Sequence, residues 1–185
     1  MTVSGMTQNK TRDMVYIAMF TVIIAICSWI SIPSTVPFTL QTMGVFLAVG
    51  VMGGKRGSIA VLIYLLLGIF GLPVFAGFTG GLGIILSNRG GYIIDFLFTS
   101  LVMGGIEKVM GNKTWVLTLS MILGLLVCYA FGTAWFMTVY TNNVGKIGLW
   151  TALGWCIFPF IIPDMLKITL ALLICKRLGR IVRFH

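Results

Sequence analysis

Apolar runs of helical length follow one another along almost the whole chain, and they decide what it can fold into. They cover roughly residues 14–32, 40–52, 58–72, 91–106, 115–140 and 149–175. About 20 apolar residues in a helix cross the ~30 Å hydrocarbon layer of a bilayer. With 58% of residues hydrophobic and 9% charged, the chain has too little polar surface to cover a soluble globule. It is also far too apolar for a disordered segment. The expectation is an all-α polytopic membrane protein with six transmembrane helices, forming a single integral membrane domain over residues 1–185. The second and third runs are short, so five spans or a re-entrant segment is the alternative.

Lys10 and Arg12 precede the first run, as in a secretory leader, but no clean small-residue cleavage site follows. Pro33 and Pro37 mark a rigid turn there instead. There are 13 basic and 4 acidic residues. Six alternating spans gather Lys10, Arg12, Lys55, Arg56, Lys108, Lys113, Lys176, Arg177, Arg180 and Arg183 on one side, against Arg89 and Lys146 on the other. The positive-inside rule then puts both termini in the cytoplasm. The basic tail after residue 175 reads as an anchor to anionic headgroups, not as a nucleic-acid site.

Several chemistries are disfavoured. The single His is His185, which argues against a histidine metal site or a catalytic triad. Paired intramembrane aspartates and HExxH are absent from the sequence, so an enzyme is not expected. Cys27, Cys128, Cys156 and Cys175 are widely spaced in apolar stretches and read as small buried hydrophobes. Residues 53–58 resemble a phosphate loop only faintly: Val49 stands where a glycine is needed and Arg56 follows Lys55. Asn112-Lys113-Thr114 fails because glycine must precede the lysine. The chain therefore has no recognisable ATP site of its own; if it is part of an ATP-driven transporter, the motor is elsewhere.

Asp164 and Lys167 are the most informative residues. They lie in the last apolar run, three apart, after Pro159 and Pro163. Ionised groups in hydrocarbon are costly and usually face a cavity or a partner. The pair reads either as mutual structural neutralisation or as a polar ligand site. In the second case Lys167 attracts a carboxylate and Asp164 accepts from ligand N–H groups. Asp95 is the other acid expected within a span, near its outer end. No chain of acids crosses the protein, which weighs against a channel or autonomous secondary carrier, the alternative function. Pro33 to Thr42 reads as an outer connector, ending either in a plain helix start or in an entrance loop with Thr39 and Gln41 facing a pocket. Residues 77–91 hold six glycines and read as a flexible outer loop or a lid.

Together these segments resemble the BioY family, the biotin-binding S subunits of energy-coupling-factor (ECF) transporters. The resemblance rests on Ile32-Pro33 with residues 36–45, Gly54-Lys55-Arg56-Gly57, residues 64–77, Gly80-Gly81, Gly90-Gly91-Tyr92 and 163–167. It implies a biotin pocket near the outer face, with Asp164, Lys167, Gln41, Thr39 and Tyr92 in or beside it and Asn88 as a further amide contact. The ligand would be biotin, with a ureido ring at one end and a carboxylate at the other, and no cofactor in this chain. Partners would be a transmembrane T subunit and two ATPase subunits in the lipid bilayer, with no nucleic acid. The turn 87–92 departs from the common Gly-Pro-Thr-Gly-Gly-Tyr pattern, and Arg89 adds a positive charge there. Docking to the T subunit would use a small-residue face of the first helix, here Ala18, then Val22 where a second alanine is usual, then Ala25.

Overall fold

A computed structural model describes residues 3–33, 36–111 and 113–178, with side chains from residue 10 onward. Ser34 and Thr35 of the proline connector, Asn112, and the tail from residue 179, with Arg180, Arg183 and His185, lie outside the described residues. Eight helices are present there: α1 (Val3–Trp29), α2 (Gln41–Met52), α3 (Gly54–Ile69), α4 (Leu82–Ile85), α5 (Gly90–Met110), α6 (Thr114–Asn143), α7 (Leu149–Cys156) and α8 (Ile161–Leu178). Between α1 and α2 the proline connector folds back as a two-stranded antiparallel ribbon, β1 (Ser31–Ile32) and β2 (Phe38–Thr39).

The expectation of six spanning helices is corrected. Two helical stretches are long and apolar enough to cross a membrane, Lys10–Trp29 within α1 and Thr114–Asn143. A third is obtained if α7 and α8, bent by 41° at their junction, are counted as one broken span. The other apolar runs fall short for physical reasons. Helix α2 has 12 residues, about 18 Å of rise, and α3 has 16, about 24 Å. Helix α5 has 21 residues, but Asp95, Glu107, Lys108 and four glycines dilute it. Crossing helices of this number still make a multi-pass membrane protein.

Helix α2 is apolar all round, and ten of its residues are buried, as expected of a helix enclosed by neighbours. It packs against α1, α3, α5 and α8. Its core side chains Val45, Phe46, Ala48 and Val49 are almost wholly buried and meet Ile24, Val61, Tyr64 and Ala171 in one cluster. The chain reverses from α2 into α3 at Gly53, whose φ of 80° an L side chain rarely adopts. Immediately beyond, Gly54 lies against Gly104 of α5, and a Cβ at Gly54 would sit 2.2 Å from the Gly104 Cα. The two helices therefore touch backbone to backbone.

Two contacts tie one end of the bundle together. Asp13 of α1 pairs with Arg56 of α3 at 2.8 Å. Glu107 near the end of α5 accepts a hydrogen bond from Gly54 N at 2.9 Å. The α1 start, the α2–α3 turn and the α5–α6 turn thus share this end, with the α8 terminus reaching it beside Gly50. The ribbon, the loop 70–81, α4 and the α6–α8 connection form the opposite end. There Trp29 donates to Pro73 O at 2.9 Å and stacks on Phe78, fastening the loop to α1.

Candidate ligand-binding site

One cavity opens at that second end, enclosed by the proline connector, α2, the loop 75–79, α5, α6 and the α7–α8 break. Its apolar wall includes Phe75, Ile93, Phe96, Leu125 and Phe160. Its polar groups come from separate elements: Thr39 and Gln41, Thr79, Arg89, Tyr92, Tyr129, and the pair Asp164 and Lys167.

The pair sits in the first turns of α8, where Pro163 is tolerated because a helix start needs no N–H from it. Each residue is 3% exposed. Lys167 Nζ lies 2.7 Å from Asp164 Oδ1 and 4.2 Å from the centre of the Phe38 ring. The second carboxylate oxygen, Oδ2, accepts from the Tyr129 hydroxyl at 2.6 Å. The ribbon register Ile32↔Phe38 places this ring, which stacks on Phe160. A buried ion pair needs such supporting bonds, since desolvation otherwise outweighs attraction. The charges are thus neutralised by each other and also line the cavity, so both sequence readings describe the same residues.

Gln41, the first residue of α2, donates through Nε2 to the Tyr64 hydroxyl at 2.8 Å, and Tyr64 donates onward to Val74 O at 3.1 Å. Among the described residues no donor is seen on its amide oxygen. Thr39 Oγ1 accepts from Gln41 N at 3.3 Å. Phe75 reaches the cavity because Gly68 makes room: a Cβ there would lie 2.0 Å from the ring. Tyr92 is set in the same way. A Cβ on Gly132 would lie 2.1 Å from its ring, and its hydroxyl is 3.0 Å from Thr133 Oγ1.

Of the expected pocket residues, Thr39, Gln41, Tyr92, Asp164 and Lys167 line this cavity. Asn88 does not; on the turn that it shares, Arg89 is the lining residue. On α1, Ala18 and Val22 face outward with Met14, Val15, Met19 and Ile26. Ala25 does not join them and is buried, because the loop after α3 crosses α1 there, with Ser28 Oγ within bonding reach of Ala25 O and Val74 O. Asp95 is fully buried behind the cavity wall. Its Oδ2 is 2.9 Å from Thr99 Oγ1, and its Oδ1 has no hydrogen-bond partner among the described residues. Among these residues no cluster of His, Cys, Asp and Glu could hold a metal ion, and all four cysteines are free and buried.

Sequence reasoning missed Tyr129, Phe38 and Phe160 as parts of the site. For Tyr129 a signal existed: a tyrosine inside an apolar span must find a partner for its hydroxyl.

The BioY family model matches residues 2–184. The chain belongs to the BioY family. It is 37% identical over 171 residues to the biotin transporter BioY of Thermotoga maritima, covering 92% of this chain and 97% of that protein. It is 38% identical over 171 residues to the probable biotin transporter BioY of Pyrococcus horikoshii, covering 91% and 97%. The fold superposes on a crystal structure described as the S-component for biotin from an ECF-type ABC transporter, with a TM-score of 0.84 and 31% identity, over 97% of this chain and 95% of that one.

Proposed function

We propose that the chain is the substrate-binding S subunit of an ECF transporter, that its ligand is biotin, and that it captures biotin with high affinity and leaves it chemically unchanged. The observation that carries this reading is a single cavity joining an apolar wall to the buried Asp164–Lys167 pair. Biotin carries an apolar bicycle with a sulfur, a ureido group with two N–H donors and one oxygen, and a carboxylate on an alkyl tail. Asp164 accepts from a ligand N–H, Lys167 donates to a ligand oxygen, and the Gln41 amide oxygen and Thr39 hydroxyl supply further bonds. Tyr92, Phe96 and Phe160 cover the apolar part.

Energy comes from a T subunit and two ATPase subunits. The exposed α1 face of Ala18 and Val22 is the docking surface for the T subunit. The end holding Lys10, Arg12, Lys55, Arg56, Lys108 and Lys113 faces the cytoplasm, which puts the N-terminus inside and the cavity at the outer surface of a prokaryotic cytoplasmic membrane. The C-terminus, beyond Lys176 and Arg177, lies inside as well.

Titrating purified protein with biotin tests the reading. Saturable binding of one biotin per chain, with riboflavin ineffective, is expected. No saturable binding, or equal binding of riboflavin, overturns it.

A further inference from the structure

The chain has four acidic side chains. Asp13 pairs with Arg56 at 2.8 Å and Asp164 with Lys167 at 2.7 Å, and Glu107 accepts from Gly54 N at 2.9 Å. Asp95 stands apart. It is fully buried in α5, no Lys or Arg among the described residues pairs with it, and its Oδ1 has no hydrogen-bond partner there. The helices packed on α5 bring it no cation. Helices α2 and α4 carry no titratable side chain. Tyr64 of α3 is engaged with Gln41 and Val74 O, and Lys55 and Arg56 lie at the start of that helix, ahead of the membrane-buried part. On α5 itself Tyr92 is held by Thr133, while Glu107 and Lys108 lie in the last turns. Helix α6 brings the Cys128 thiol beside the carboxyl, and on the other side of that thiol are Asp164 and Lys167, already joined to each other and to Tyr129.

A count of protons decides the state of this carboxyl. Thr99, one turn further along α5, has its Oγ1 at 2.9 Å from Asp95 Oδ2 and at 3.0 Å from Gly124 O of α6. Gly124 lets the helices come this close, since a Cβ there would lie 3.1 Å from Thr99 Cγ2. A carbonyl oxygen only accepts, and a hydroxyl has one proton to give. With Asp95 ionised, that proton serves one of the two contacts and the other sets two acceptors against each other. An anion with no counter-charge would also be shut away from water, which is costly. With Asp95 protonated, Oδ2–H donates to Thr99 Oγ1, and Thr99 donates to Gly124 O. Each contact then holds one proton, and the unmet Oδ1 belongs to a neutral group, a far smaller penalty.

We propose that Asp95 is a proton-binding site, whose protonated carboxyl clamps α5 to α6 through Thr99 and so sets the spacing of two walls of the cavity. Asp95 stands between Ile93 and Phe96, and Gly124 directly precedes Leu125; all three flanking residues line the cavity, as does Cys128. Loss of the proton to water turns the Thr99 hydroxyl to the carboxylate, frees Gly124 O and leaves a bare charge between the helices. The walls then no longer hold their spacing, and the cavity binds its ligand less well. Asp95 acts here as a positioning residue that does not touch the ligand. The effect on affinity rests on the biotin reading; the protonation itself does not.

Infrared spectra of the full-length purified chain at neutral pH test the protonation. The difference between wild type and Asp95→Asn should contain the carbonyl stretch of a protonated carboxyl group, shifted in deuterated water. The wild-type spectrum alone must carry that stretch too, so the test does not depend on the variant folding. A difference holding only carboxylate bands, or a wild type without the stretch, overturns the proposal. The Asn amide donates to Thr99 as the acid does, so Asp95→Asn should unfold with the wild type at neutral pH, and Asp95→Leu at a lower temperature; the reverse order overturns the clamp. Biotin affinity is then measured against pH. Above the point where Asp95 gives up its proton, the wild type should weaken by up to about tenfold per pH unit, as the competent fraction falls. Asp95→Asn should lack this component, while Lys167, Tyr92, Tyr129 and Cys128 titrate equally in both proteins. Identical pH profiles overturn the link to the cavity. A wild type that binds no biotin at any pH removes the biotin reading and leaves the infrared result standing.

Discussion

At the scale of single residues, the buried Asp164–Lys167 pair bears on stability and, in the proposed function, on recognition. Asp164→Asn leaves an ammonium 3% exposed with no counter-charge. Removing one partner of such a pair costs about 3–5 kcal/mol, whereas replacing both by apolar residues is far milder. Thermal unfolding in detergent should therefore show a large loss for Asp164→Asn and a much smaller one for Asp164→Leu combined with Lys167→Met, with biotin binding lost in both. Equal midpoints for the two variants would contradict the pairing. The pair was legible in the sequence because few ionised residues occur within apolar runs. Tyr129 was not singled out, because its surroundings are uniformly apolar and nothing in its own run names a partner 35 positions away. Asn88 and Arg89 mark a different limit. Neighbours on a tight turn point in different directions, and composition does not say which one faces the cavity.

At the scale of elements, close helix contact is the organising device. Helices α3 and α5 meet at Gly54 and Gly104, where even a methyl group has no room. Gly54→Ala should cost about 1–3 kcal/mol, the usual range for overpacking, read as a lower unfolding midpoint. Gly105, which a Cβ would leave clear of any contact, provides the control: Gly105→Ala should be near neutral or slightly stabilising. On α1, Val22 is 56% exposed within the proposed docking face. Val22→Arg should prevent co-purification with the T subunit while leaving biotin affinity of the isolated chain unchanged; retained co-purification would move the interface elsewhere. The helix positions were largely readable from the apolar runs. Their membrane-crossing ability was not, because hydrophobicity marks burial in protein as readily as burial in lipid. Helix α2 is the clear case: 12 residues, apolar all round, enclosed by other helices. The β1–β2 ribbon was also missed, since two-residue strands leave no periodic signal.

At the scale of the whole molecule, the two ends have different chemistry. One holds the Asp13–Arg56 and Glu107–Gly54 contacts among many basic residues, and the other holds the cavity. The proposed orientation is checked by single cysteines introduced into a variant lacking the four native ones. A membrane-impermeant maleimide added to intact cells should label a cysteine at position 146 and spare one at position 55. The reverse pattern would turn the cavity inward.

The central claim is that biotin occupies the cavity between α5, α6 and α8. The most direct measurement is a crystal structure with biotin, in which the anomalous signal of the ligand's sulfur fixes its position. The account predicts the bicycle against Tyr92, Phe96 and Phe160, with ligand polar atoms within hydrogen-bond distance of Asp164 and Lys167. Biotin bound elsewhere, or a cavity left empty at saturating biotin, would contradict it.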